Sequence, residues 1–237
     1  MRAAYERLTS ILSDPDECGM SALDCIYEIM ENEVQRRDSN ALARRLKEAK
    51  ICLPNARPDT IDFSIERGLD KNKIDALLTM RWMEEHQNII ITGAAGCGKT
   101  FLACALVNQA CIKGRTARVV RVPLLLNQMA ASHQIVETYF KKLKEMKTID
   151  LLVLDDWGIG QLDARSRQDL LEIINGRYMY ASTIVTSVLP VNKWSEYIND
   201  TTYSDAILDR LVSVSHRVEL NGASVRQMKE YGAVLKE

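Results

Sequence analysis

No run of apolar residues in this chain approaches the roughly 20 that a membrane span requires. The opening residues, Met1-Arg-Ala-Ala-Tyr-Glu-Arg7, lack the apolar core of a secretory signal. Both absences lead to the expectation of a soluble, cytoplasmic protein with no membrane partner. Charge of one sign is missing too: 31 Lys and Arg meet 32 Asp and Glu, a formal net charge of −1. That balance excludes a protein that coats nucleic acid with its whole exterior, so any such contact must come from local basic patches. The six cysteines form no C-x-x-C pair, and the three histidines are not paired beside them, which argues against a structural zinc site. Internal repeats and low-complexity tracts are absent. What is present, 237 residues with 46% hydrophobic, suffices for one α/β core and a smaller module.

Organisation follows from periodicity. Residues 1 to about 52 read as helix, pausing at Ser13-Asp-Pro-Asp-Glu17, with Leu23, Ile26, Tyr27, Met30 and Val34 at helical spacing. Charge is segregated within it, from acidic Asp24, Glu28, Glu31 and Glu33 to basic Arg36, Arg37, Arg44, Arg45, Lys47 and Lys50. Pro54-Asn-Ala-Arg-Pro58 breaks the pattern and is the candidate linker, dividing a helical domain, 1–57, from a second domain, 58–237. Ile61-Asp-Phe63 reads as extended, and Gly68-Leu-Asp70 as a turn into a helix reaching about Glu85. Beyond it, strands at Asn88–Thr92, Arg118–Val122, Leu151–Leu154, Thr183–Thr186 and His216–Leu220 alternate with helical stretches, the sign of a parallel sheet with crossovers. Pro123 suits a first helical turn, and Asp163 an N-cap.

The first strand runs into Gly93-Ala94-Ala95-Gly96-Cys97-Gly98-Lys99-Thr100, followed by the helical pattern from Phe101. Strand, glycine-rich turn and helix start make the setting in which G-x-x-x-x-G-K-[ST] cradles phosphates. The glycines let backbone N–H groups approach an anion, and the helix adds its positive dipole end. Lys99 then supplies a point charge for the β/γ-phosphates, and the Thr100 hydroxyl suits Mg²⁺. Cys97 is the thiol expected beside bound phosphate, where an alkylating reagent would block the site. Cys104 and Cys111, seven apart on the next helix, share a face expected to be buried.

Leu151-Leu-Val-Leu154 ends in Asp155-Asp156. Ligands of open α/β sheets bind beyond the carboxyl ends of the strands, so Asp155 suits the Mg²⁺ shell and Asp156 polarisation of the attacking water. A helix-capping pair of acids is the plainer alternative. If the fourth strand inserts between the first and third, Ser187 or Thr186 points between these elements, although either hydroxyl also suits a simple strand end. Arg210 has two roles open to it: an arginine finger for a neighbouring subunit, or an ion-pair partner of Asp205 or Asp209. The stretch after the last strand is too short for a full helical lid, which leaves a lid arginine missing or reduced to Arg226. Asn192-Lys-Trp-Ser195 lacks the carboxylate that reads guanine, so ATP is favoured over GTP.

Taken together these stretches resemble the IstB-like ATP-binding helper proteins of bacterial insertion sequences, AAA+ relatives of the helicase loader DnaC. Arg67-Gly-Leu-Asp70, the loop Gly93–Thr100, Leu151–Gly158, Asp169–Ile174, Thr183–Pro190 with Trp194, and Asp205–Leu211 running into His216-Arg217 carry the likeness. It implies a P-loop NTPase of three-layer αβα architecture, a five-stranded parallel sheet with a reduced or absent lid, and a small helical N-terminal domain. It further implies ATP and Mg²⁺ as cofactors, and an ATP-driven homo-oligomer on double-stranded DNA that selects or remodels a target and recruits or activates a cognate transposase. A DnaC-like helicase loader is the other implied role. In that frame Lys99 and Thr100 hold ATP and Mg²⁺, with Gly93–Phe101 as the binding segment. Asp155 and Asp156 are the acid pair, Ser187 is sensor-like, and Arg210 is the finger. The N-terminal module is implied in protomer pairing and DNA or transposase contact. Asp156 stands where the broader AAA+ pattern has Glu, and its shorter reach implies slow hydrolysis.

Overall fold

The computed structural model describes residues 2–13, 21–222 and 224. In chain order the elements are α1 (Arg2–Ser13), α2 (Ala22–Ala49), α3 (Lys71–Leu78), α4 (Arg81–Glu84), β1 (Asn88–Gly93), α5 (Lys99–Ile112), β2 (Ala117–Arg121), α6 (Val122–Ser132), α7 (Val136–Thr148), β3 (Leu151–Trp157), α8 (Ala164–Arg177), β4 (Ser182–Ser187), α9 (Trp194–Ile198), α10 (Thr201–Val212) and β5 (Ser215–Leu220). The expected pause at residues 14–17, and Arg226, lie outside the described residues.

Two compact units divide the chain, Met1–Lys47 and Glu48–Glu237. The division falls ahead of the proline-bounded linker because Ala49 and Ala56 are already fully buried. Within the first unit Arg7 on α1 pairs with Glu28 on α2 through its Nε at 3.0 Å. Leu23, Ile26, Tyr27, Met30 and Val34 share one helical face, and all five are exposed.

In the second unit every strand pairing is parallel, in the order β2-β3-β4-β1-β5. Strand β4 therefore does lie between β1 and β3, with Ile90 beside Val185 and Val153 beside Ile184. Strand side chains alternate between faces. Ile90, Leu152, Leu154 and Val185 pack into a core with Leu125, Met129, Leu170, Ile173, Trp194 and Ile207 from α6 and α8–α10. The α5 helix packs against the sheet as well, burying Leu102 to Val107, with Cys104 and Cys111 both fully enclosed. Pro123 lies in the first turn of α6, and the Asp163 carboxylate accepts from the Ser166 N–H as the cap of α8.

The helix expected through to Glu85 is two helices. Met80 takes a left-handed φ of 66° between α3 and α4. The break lets the buried Trp82 indole donate to the Leu77 carbonyl at 2.9 Å, which a continuous helix would keep within its own ladder.

Arg177, at the end of α8, is 2% exposed. Its guanidinium donates to the Met146 carbonyl at 2.7 Å, the Ile149 carbonyl at 2.8 Å and the Thr183 hydroxyl at 3.0 Å, and also to the Ser182 carbonyl. Burial pulls its pKa down to about 9, and this ring of acceptors is what holds the charged form. One side chain thus ties α7 to the amino ends of β3 and β4. Arg177→Leu should lower stability by roughly 3 kcal/mol, because the acceptors stay buried without a donor. Denaturant unfolding checks this, and a change under about 0.5 kcal/mol would show that the carbonyls find other partners.

Candidate nucleotide site

Strand β1 delivers the chain to Gly93, whose φ is 148° and where an added Cβ would stand 2.1 Å from the Leu220 carbonyl oxygen. Gly98, at φ 100°, precedes α5 and presses against Arg67: a Cβ there would meet the guanidinium at 2.5 Å. The loop between them folds over the start of α5 as the glycine spacing requires. Ala94, Ala95 and Gly96 form its crest. Cys97 corrects the sequence reading, because its thiol is fully buried beneath the loop, not open to reagents beside phosphate.

Lys99 is 9% exposed, and its Nζ donates to the Gly93 carbonyl at 2.9 Å and the Ala94 carbonyl at 2.7 Å. The ammonium is thus parked on the loop's own backbone, within reach of any phosphate the loop receives. Next to it the Thr100 hydroxyl donates to Asp155 Oδ1 at 2.9 Å. The buried Asp155 also accepts from the Thr186 hydroxyl. Oxygen donors alone make up this corner, a set that suits Mg²⁺ completed by phosphate oxygens.

Asp156 departs from regular strand geometry. The register between β3 and β4 slips by a residue after Leu154, so that Trp157 lies beside Ser187, and Asp156 takes a left-handed φ of 61°. Alternation along an unbroken strand would send adjacent acids to opposite faces; the bulge re-aims Asp156. Its carboxylate meets the Arg121 Nε at 2.6 Å, at the end of β2. That ion pair raises the pKa of Arg121 and occupies the very group assigned to water. Arg121→Ala should therefore raise basal ATP turnover by about two- to fivefold, the modest shift expected from releasing a solvent-exposed pair. A steady-state phosphate-release assay reads this; slower turnover would make Arg121 part of the reaction, not a restraint on it.

Strand β4 brings Thr186, not Ser187, to the acids. The Thr186 hydroxyl accepts from the Asp156 N–H at 3.3 Å as well as donating to Asp155. Ser187 is fully buried; its hydroxyl donates to the Trp157 carbonyl at 2.7 Å and accepts from the Leu189 N–H at 3.0 Å. It fastens the turn after β4 to the end of β3.

Beside the loop lies a groove of about 340 Å³. Leu53, Ile65 and Phe101 give it an apolar wall, and Gly98, Lys99 and Thr100 its phosphate end. Arg67 closes one side, 5% exposed, donating to the Cys97 carbonyl at 3.4 Å and the Asp62 carbonyl at 3.0 Å. Neither Arg67 nor Arg121 was assigned a role in the site from sequence. The stretch Arg67-Gly-Leu-Asp70 offered the one signal, without its placement. Arg210 is absent from the groove lining. It lies at the opposite end of the sheet, its carbonyl accepting from Asn88 Nδ2 at 3.1 Å where β1 begins.

Comparison with known proteins accords with this geometry. Residues 1–233 match the family described as IstB-like ATP binding protein. The chain belongs to that family. A Sinorhizobium fredii relative, named as an insertion-sequence ATP-binding protein, is 39% identical over 220 residues, spanning 92% of this chain and 88% of its own. A similarly named Mycobacterium tuberculosis protein is 29% identical over 211 residues, covering 89% and 83% respectively. Among solved structures, DnaI aligns with a TM-score of 0.60 at 20% identity, over 76% of this chain and 98% of that one. The DnaC helicase loader aligns at 0.56 and 21% identity, over 70% and 97%. At these identities the likeness is one of fold alone, a parallel sheet flanked by helices with a phosphate loop after its first strand. With its phosphate loop intact, the chain is an ATP-binding ATPase of the family. No helix among the described residues is long and apolar enough to cross a membrane.

Proposed function

We propose that this ATPase assembles with copies of itself on double-stranded DNA when ATP is bound, selects or remodels the target, and recruits or activates a cognate transposase. Its relatives' names, which speak of insertion sequences, support the setting. The placement of Arg210 carries the assembly. Its guanidinium donates to the Ala206 carbonyl at 2.7 Å and lies 5.7 Å from the Tyr178 ring centroid. It pairs with neither Asp205 nor Asp209 among the described residues. A charge that stands a sheet's length from its own phosphate loop serves a nucleotide only when that nucleotide sits on another copy.

In this reading Lys99 exchanges its backbone carbonyls for the β/γ-phosphates, and Asp156, once Arg121 lets go, accepts the proton of the attacking water. The neighbour's Arg210 meets the charge that develops on the transferring group. Thr100 and Asp155 would hold Mg²⁺, which supplies Lewis-acid neutralisation of the phosphate oxygens. Thr186 keeps Asp155 oriented. Phosphate contacts to DNA fall to exposed Arg44, Lys47, Lys50, Lys141 and Lys144. Several neighbouring cations are already engaged, Lys147 with Glu172, and Arg36 and Arg37 with Glu33.

Particle size with and without ATP and duplex DNA, by electron microscopy or light scattering, tests the reading. ATP should convert a small species into a large one, with salt-sensitive DNA binding. Arg210→Ala should bind nucleotide but hydrolyse it poorly, and mixing it with Asp156→Asn protein should restore part of the activity across a shared interface. Unchanged size together with no recovery at any mixing ratio overturns the proposal.

A further inference from the structure

Cys52, in the loop that follows α2, is exposed, while Cys104 on α5 is fully buried, and their sulfurs lie 3.6 Å apart. The Leu53 backbone N–H also faces the Cys104 sulfur, so this short stretch of loop runs alongside α5. Leu53 forms part of the nucleotide groove, and Cys104 stands one helical turn along α5 from Thr100. We propose that Cys52 and Cys104 are an oxidative modification site: a peroxide converts them to a disulfide that fastens the Leu53 wall of the groove to α5 and weakens ATP binding.

Atoms and electrons balance as follows. Cys52 sulfur attacks the peroxide, the O–O bond breaks, and a sulfenic acid forms with loss of one water. Cys104 sulfur then attacks Cys52 sulfur, the S–O bond breaks, and the departing hydroxide leaves with the Cys104 proton as a second water. Two thiols lose two electrons to one peroxide. Exposure sets the order, since reagents reach Cys52 first. Burial, with Cys52 beside it, pushes the Cys104 thiol up to about 12, so it stays protonated and unreactive toward peroxide; its place 3.6 Å from the Cys52 sulfur makes it the resolving partner. The sulfurs must close from 3.6 Å to about 2 Å. The exposed loop can make that movement, whereas close-packed α5 cannot. The tie then draws the Leu53 segment toward α5 and fixes it there, and the groove cannot adjust around a nucleotide.

The proposal rests on the nucleotide reading of the groove, and its two readouts are separable. Full-length protein is treated with hydrogen peroxide, its remaining thiols are alkylated, and non-reduced peptides are mapped by mass spectrometry. In parallel the affinity for a fluorescent ATP analogue is measured. We expect a Cys52–Cys104 linked peptide and an affinity loss of about fivefold or more, in the range of coupling between linked sites. Dithiothreitol should reverse both, and Cys52→Ser should show neither. A link through Cys97 or Cys111 instead, no link at all, or an equal affinity loss in Cys52→Ser overturns the proposal. A linked protein that binds ATP as before overturns the coupling. A reduced protein that binds no ATP overturns the nucleotide reading and leaves the disulfide standing.

Discussion

Lys99→Ala is expected to weaken ATP binding by about 100-fold or more, or ~2.7 kcal/mol. In the ligand-free chain the ammonium spends its hydrogen bonds on the Gly93 and Ala94 carbonyls. Binding therefore exchanges two neutral acceptors for ionised phosphate oxygens, adding direct attraction between opposite charges to bonds that the ammonium already makes. Alanine removes that gain and leaves the phosphates facing backbone dipoles alone. Isothermal titration with ATP reads the loss. An affinity within threefold of wild type would mean that the loop N–H groups and helix dipole suffice, and the role given to Lys99 would fall.

Asp156→Asn is expected to do the reverse, keeping ATP affinity within about threefold while lowering turnover by about 100- to 10,000-fold, the range for removing a positioned base. Asparagine is the informative replacement because it tolerates the left-handed backbone that Asp156 occupies, so charge changes without geometry. It also removes the ion pair with Arg121, which separates the two effects: freeing the carboxylate should raise turnover, and abolishing it should end turnover. Wild-type rates in Asp156→Asn would exclude the residue from water activation.

Elements whose signals are local were legible in the sequence. All five strands were placed by apolar runs and turn residues, and the strand-loop-helix around Lys99 by glycine spacing. The cap at Asp163 is likewise a short-range hydrogen bond. The break at Met80 was not legible, because it exists to let Trp82 reach Leu77 within a packed core. Thr186 and Ser187 could not be told apart from sequence, since their orientation depends on a bulge in the neighbouring strand, β3. Arg121 and Asp156 are 35 residues apart, and Arg67 and Cys97 are 30 apart. Periodicity carries no information about contacts at such separations; they follow from the parallel order of β2 and β3 and from the folding of the 53–67 segment over the loop.

The left-handed backbone at position 156 also constrains how this site can change over evolutionary time. Side chains branched at Cβ are strained there, and glycine and asparagine are the residues that fit with least cost. A lineage drifting toward an ATP-holding protein without turnover thus has a short, nearly cost-free path through asparagine. One drifting toward a faster enzyme has a harder path. The longer glutamate is less at ease in that conformation than aspartate, so gaining reach toward the phosphate would require the bulge between Leu154 and Trp157 to relax first. On the proposed role of Asp156, turnover speed depends on strand register as well as on the identity of the acid.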